Sequence, residues 1–68
     1  MFEKLRALRK ELAEERGVPA YVVFSDATLA EMAALKPRTL GELSGISGIG
    51  PTKLSRYGMP FLNVLKED

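Results

Sequence analysis

A chain of 68 residues with neither cysteine nor histidine must hold itself together by apolar burial alone. No disulfide can staple it, and no zinc site of the usual nitrogen and sulfur ligands can nucleate it. Surface scaling with mass gives roughly 4,000 Å² exposed when folded against about 11,000 Å² for the open chain, enough for one small core but not two. The net stability expected at this size is only about 3–10 kcal/mol. The same two absences remove every imidazole base and thiolate nucleophile. No cofactor or metal is expected. No apolar run, residues 21–24 included, approaches the length needed to cross a bilayer, so no membrane contact is expected either.

Helical spacing dominates the rest. Phe2, Leu5, Leu8 and Leu12 recur at intervals of three and four, which puts them on one face of a helix. Lys10 and Glu14 stand one turn apart on its outer side. Gly17 and Pro19 stop that helix near Arg16. Residues 20–24 carry strand-forming side chains, but the run is short and has no second strand to pair with. A turn or short 3₁₀ segment feeding Val22, Val23 and Phe24 into the core is expected instead. Ser25 caps a helix through the N–H of Thr28, with Asp26 in its first turn, Leu29, Met32, Ala33 and Leu35 as its apolar positions, and Pro37 as its end. Thr39 and Glu42 form a capping box for a short helix that points Leu40 and Leu43 inward and closes at Gly45. Residues 46–51 make a tight hairpin whose following helix opens with Pro51. Gly58 is expected to end that helix, and Pro60 to begin a last one burying Phe61, Leu62 and Leu65. The fold class is therefore all-α: about five helices around one core, joined by a helix-hairpin-helix-like turn, in a single domain over residues 1–68. The abrupt acidic end at Glu67 and Asp68 suggests a domain excised from a larger protein.

Ten Lys and Arg balance nine Asp and Glu to a net charge of +1, yet the charges are not spread evenly. Residues 36–58 hold Lys36, Arg38, Lys53 and Arg56 against Glu42 alone, the one locally basic stretch. That favours a modest anionic contact there. Within it, Gly48 and Gly50 flank Ile49 at the hairpin. Such a turn leaves N–H groups, those of Gly50 and Thr52, facing outward at a helix N-terminus, where phosphate oxygens bind without any base being read. Lys53 and Arg56 lie three residues apart on that helix and can reach the same anion. The plainer reading is a packing device with solvated basic residues.

Tyr21 is the second candidate. If the residues after it face inward, its ring is left outside to stack on an unpaired base; otherwise it is half-buried, with its hydroxyl capping a backbone group. Tyr57 is expected in the core. Arg6, Arg9 and Arg16 read as a solvated charged face. Glu11, Glu14 and Glu15 have no partner base or apolar pocket, and no GxxxxGK[ST] loop is present, so the chain carries no catalytic residues and hydrolyses no nucleotide by itself.

Four motifs then fall in register: Leu5-x-x-Leu8-Arg9; Pro19-x-Tyr21-Val22-Val23-Phe24-Ser25-Asp26-x-Thr28-Leu29; Pro37-x-Thr39-x-x-Glu42-Leu43; and Ile46-x-Gly48-Ile49-Gly50-x-x-Lys53. Together they resemble the HRDC (helicase and RNase D C-terminal) domain, and the second is most similar to the version in bacterial RecQ-family DNA helicases. The resemblance implies an accessory five-helix domain tethered after an ATP-dependent helicase core. It implies weak contact with single-stranded or junction DNA, tuning substrate choice in repair and recombination. It centres the site on Tyr21, with Lys53, Arg56, Gly48 and Gly50 at the hairpin and Lys36 and Arg38 bordering the third connection. A monomeric domain in a bacterial cytoplasmic, nucleoid-associated host is implied, with DNA as partner and contact with the parent helicase core as a further option. The near-neutral charge and mixed-sign first helix keep a docking or regulatory role open as an alternative. So is the HRDC domain of an RNase D-type ribonuclease.

Overall fold

The apolar spacing of the first segment is realised as α1, Phe2–Arg16, in a computed structural model that describes residues 1–67; Asp68, one of the terminal acids noted above, lies outside them. Leu5 and Ala13 are buried, with Phe2, Leu8 and Leu12 packed at the margin of the core. Gly17 ends the helix in the left-handed conformation (φ 68°), and the N–H of Val18 reaches back to the Ala13 carbonyl at 3.0 Å. The outer face carries an Arg6–Glu3 contact at 3.8 Å, whereas the Lys10–Glu14 spacing closes no ion pair among the described residues.

Residues 20–24 differ from expectation in one respect. They form a single turn of α-helix, α2 (Ala20–Val23), with Phe24 extended at its end. Val23 and Phe24 are buried, but Val22 is exposed. Successive side chains on a helix point about 100° apart, so three in a row cannot all face one core. No strand occurs among the described residues.

Helix α3 spans Asp26–Leu35, and Ser25 Oγ accepts from the N–H of Thr28 at 3.2 Å, as its sequence predicts. Leu29 and Met32 are buried, but Leu35 points into solvent at 66% exposure. The helix stops on Lys36, which adopts a left-handed φ of 48° and donates its N–H to the Met32 carbonyl at 2.8 Å. Helix α4, Leu40–Leu43, is capped by Thr39 Oγ1, which accepts from Glu42 N–H at 3.1 Å. The returning carboxylate of Glu42 reaches one residue further than a capping box requires and accepts from Arg38 N–H at 2.7 Å. Leu43 is buried; Leu40 is only partly covered.

The largest departure is α5, Pro51–Lys66, which runs unbroken through Gly58 and Pro60. Local breakers lose here to packing: Tyr57, Phe61, Leu62 and Leu65 all bury their side chains from this one helix. Pro60 removes the hydrogen bond to the Arg56 carbonyl, and Arg56 lies in solvent, where water can satisfy it. Gly58 serves close approach instead of termination. A Cβ there would stand 3.1 Å from Leu40 Cδ2 and 3.2 Å from Leu54 Cδ1, so α4 rests directly on this helix.

Helix α1 packs against α2, α3 and α5, and α4 against α5. At the centre the ring of Phe24 meets Phe61 (centroids 5.0 Å) and Tyr57 (5.9 Å), both edge to face. The exposed surface is 4061 Å², close to the value expected for one core of this mass.

Candidate nucleic-acid interface

The segment that carries Tyr21 is fixed from below by Arg9. This residue is not on a solvated face with Arg6 and Arg16; it is buried. Its Nη1 donates to the Phe24 carbonyl at 3.1 Å and pairs with Asp26 Oδ1 at 2.7 Å. One guanidinium thereby satisfies the carbonyl at the end of α2 and ties α1 to the start of α3. Its Nε is enclosed without a partner.

On that support Tyr21 is 71% exposed, while the other tyrosine, Tyr57, is buried as expected. Phe24 lies three residues beyond Tyr21, and above its ring, 6.0 Å from the centroid, is the ammonium of Lys53. Arg16 places its guanidinium 5.6 Å over the Tyr57 ring. Phe24 and Tyr57 meet edge to face at 74°, so Arg16 and Lys53 cover two differently inclined rings of one buried aromatic cluster. Arg56 is about 60° round α5 from Lys53 and projects into solvent on the same side. The structure thus sets Lys53 and Arg16 over the central rings, with Arg56 near Lys53 on α5, while Tyr21 stands exposed on α2 three residues before Phe24. Arg16 is the one sequence reasoning missed, since its spacing from Arg6 and Arg9 carries no information about the ring it would cover.

At the hairpin the two glycines differ. Gly48 has φ 88°, and a Cβ on it would come within 2.5 Å of Thr28 Oγ1, so geometry alone accounts for this glycine. Thr28 Oγ1 in turn donates to the Ser47 carbonyl at 3.0 Å. The Ser47 N–H is taken by a carboxylate of the chain itself, Glu31 Oε2 at 2.8 Å. An incoming phosphate on the Gly48 side would face that negative charge. Gly50, at the N-cap of α5, is different: the space beside its Cα is open.

Lys36 and Arg38 are not gathered with the others. Leu40, two residues after Arg38, rests on Gly58, and Gly58 points about 140° away from Lys53 around α5. The α3–α4 connection therefore occupies the opposite flank of that helix. Of the seven residues singled out by sequence, Lys53 and Arg56 share one side of α5, Gly48 and Gly50 lie at the hairpin, Lys36 and Arg38 border the α3–α4 connection, and Tyr21 stands exposed on α2.

What these features define first is a class: a small all-helical domain with a hairpin-linked helix pair and an exposed tyrosine on the short turn after its first helix. Residues 1–65 match the family model of the HRDC domain. The chain belongs to the HRDC domain family. It is 45% identical over 67 residues to the ATP-dependent DNA helicase RecQ of Pasteurella multocida, and 48% identical over 66 residues to that of Bacillus subtilis. These matches cover 98% and 97% of the chain, which spans only 11% of the length of either helicase. Among solved structures it is similar to D. radiodurans RecQ HRDC domain 3, with a TM-score of 0.93 and 44% identity, over 97% of this chain and 87% of that one.

Proposed function

We propose that the chain is an accessory, non-catalytic domain of a RecQ-type DNA helicase that weakly contacts single-stranded or junction DNA and so biases which substrates its parent engages. A bacterial cytoplasmic, nucleoid-associated setting and a monomeric domain belong to this reading. The observation that carries it is the exposed ring of Tyr21 on a turn that Arg9 holds at the Phe24 carbonyl, the same residue whose ring lies under Lys53. The ring stacks on an unpaired base, while Lys53, Arg56 and Arg16 contact phosphates and read no sequence. The small net charge keeps affinity low.

Fluorescence anisotropy of the domain on single-stranded, duplex and forked DNA tests this. With about three phosphates contacted, raising salt from about 50 to about 200 mM weakens single-strand binding roughly 20-fold. Tyr21→Ala weakens single-strand binding about tenfold, in line with the loss of one stacked base, and leaves duplex binding nearly unchanged. A flat salt response removes the phosphate contacts from the reading; equal losses on single and double strands remove the stacking. Arg16→Ala and Lys53→Ala should each lower the slope of log affinity against log salt by about 0.7. An unchanged slope for Arg16→Ala would return that residue to the solvated surface.

A docking role against the parent helicase draws on a separate observation, the occupation of the Ser47 N–H by Glu31. It predicts no DNA affinity in the isolated domain, together with altered DNA binding by the parent once the domain is deleted.

A further inference from the structure

The pair that the DNA reading leaves over, Lys36 and Arg38, borders a groove of about 410 Å³ between α3 and α4. Its walls are Leu35, Pro37, Gly45 and Ile46, with Glu42 at one side. Leu35 is a large apolar side chain in a position that a soluble helix normally gives to a polar one, and it is two-thirds exposed at the groove's edge. Glu42 is the lone acid of the lining, its Oε1 held by the Arg38 N–H at 2.7 Å, so two cations face one carboxylate and the rim is net positive. Among the described residues Lys36 is the one non-glycine with positive φ. That conformation favours glycine or asparagine, and Pro37 restricts the next φ, so the rim is held in one shape before anything binds. No aromatic ring lines the groove, so it offers a nucleic-acid strand nothing to stack on.

We propose that this groove is a docking site for an acidic, apolar peptide segment of a partner protein: a leucine-sized side chain enters against Leu35, Pro37 and Ile46 while flanking carboxylates pair with Lys36 and Arg38. Charge complementarity selects this occupant. A basic segment would meet two like charges, and a purely apolar one would leave both cations without partners. The groove shares no lining residue with Tyr21, Lys53 or Arg56 and does not depend on the DNA reading.

The test is a ¹⁵N-detected NMR titration of the domain with the peptide acetyl-Asp-Glu-Leu-Leu-Asp-amide. Its basic counterpart, acetyl-Lys-Lys-Leu-Leu-Lys-amide, and a twelve-residue oligothymidine serve as the other probes. The acidic peptide should shift the amides of Leu35, Lys36, Arg38, Gly45 and Ile46, and the basic peptide should not. The double variant Lys36→Glu/Arg38→Glu should weaken the acidic peptide about tenfold or more, and Leu35→Ser should weaken it while leaving the charges in place. Tyr21→Ala should change nothing at this groove. All three substituted groove residues are exposed, and a dispersed spectrum of each variant confirms that it is folded. No shift with the acidic peptide at millimolar concentration overturns the proposal, as do equal shifts with the basic peptide. Shifts at these amides with oligothymidine alone also overturn it, and assign the groove to nucleic acid.

Discussion

Phe24→Ala should remove about 3–5 kcal/mol of stability, a large part of what a chain of this size possesses. Phe24 is wholly buried, and it is the shared ring of the aromatic cluster, touching both Tyr57 and Phe61 edge to face. Truncation empties the centre of the core and takes away the surface on which Lys53 rests. The surrounding helices come from four parts of the chain and cannot all close on the void. Urea unfolding followed by circular dichroism measures the effect. Phe24→Leu, which keeps much of the volume, should lose only about 1–2 kcal/mol. A loss below about 1 kcal/mol for the alanine variant would show that the cavity collapses and that this ring is not the centre of the fold.

Gly48→Ala is the second large effect, expected at about 2–4 kcal/mol from two sources that can be separated. The new methyl must adopt φ near 88°, and it must also enter space held by Thr28 Oγ1, 2.5 Å from the Cβ position. That hydroxyl is not free to move, because it bonds the Ser47 carbonyl and lies 3.0 Å from Ser25 Oγ. In a double-mutant cycle Thr28→Ala relieves the collision but not the backbone strain. The pair should therefore lose less than the sum of the singles by about 1 kcal/mol or more. Strict additivity would mean the strain is entirely in the backbone. The result also bears on DNA binding: a Gly48 variant that binds poorly because it is part unfolded says nothing about a phosphate at the hairpin.

The elements whose signals are local were legible in the sequence. Ser25 and Thr39 cap their helices through the N–H groups their spacing predicts, and Gly17 and Pro51 stand at helix ends as expected. Gly58 and Pro60 misled because a breaker's effect depends on what the helix gains by continuing, and here it gains four buried side chains presented from one rod. Leu35 and Leu40 look like core residues by type, yet the core has no room on their side. The sequence left Tyr21 open between exposed and half-buried; it is exposed, but not for the reason considered, since Val22 beside it faces outward too. Arg9 and Arg16 were indistinguishable in sequence. One is enclosed by α1, α2 and α3, and the other lies over a ring 41 positions away, contacts that no local pattern encodes. The seven candidate residues had no spatial grouping until α5 was seen to be one continuous helix with Lys53 and Gly58 on different flanks.

Of the ten cationic side chains, Arg9 alone is buried. Its Nη1 alone serves two acceptors, the Phe24 carbonyl and the Asp26 carboxylate. The scaffold's dependence on positive charge is thus concentrated in a single position, and eight of the remaining nine cations are displayed to water. The exposed cations can accordingly be exchanged with little effect on the interior, provided that Asp26, Glu31 and Glu42, which hold Arg9 and two backbone N–H groups, are kept. One backbone of this kind can serve hosts with opposite electrostatic needs by repainting its coat.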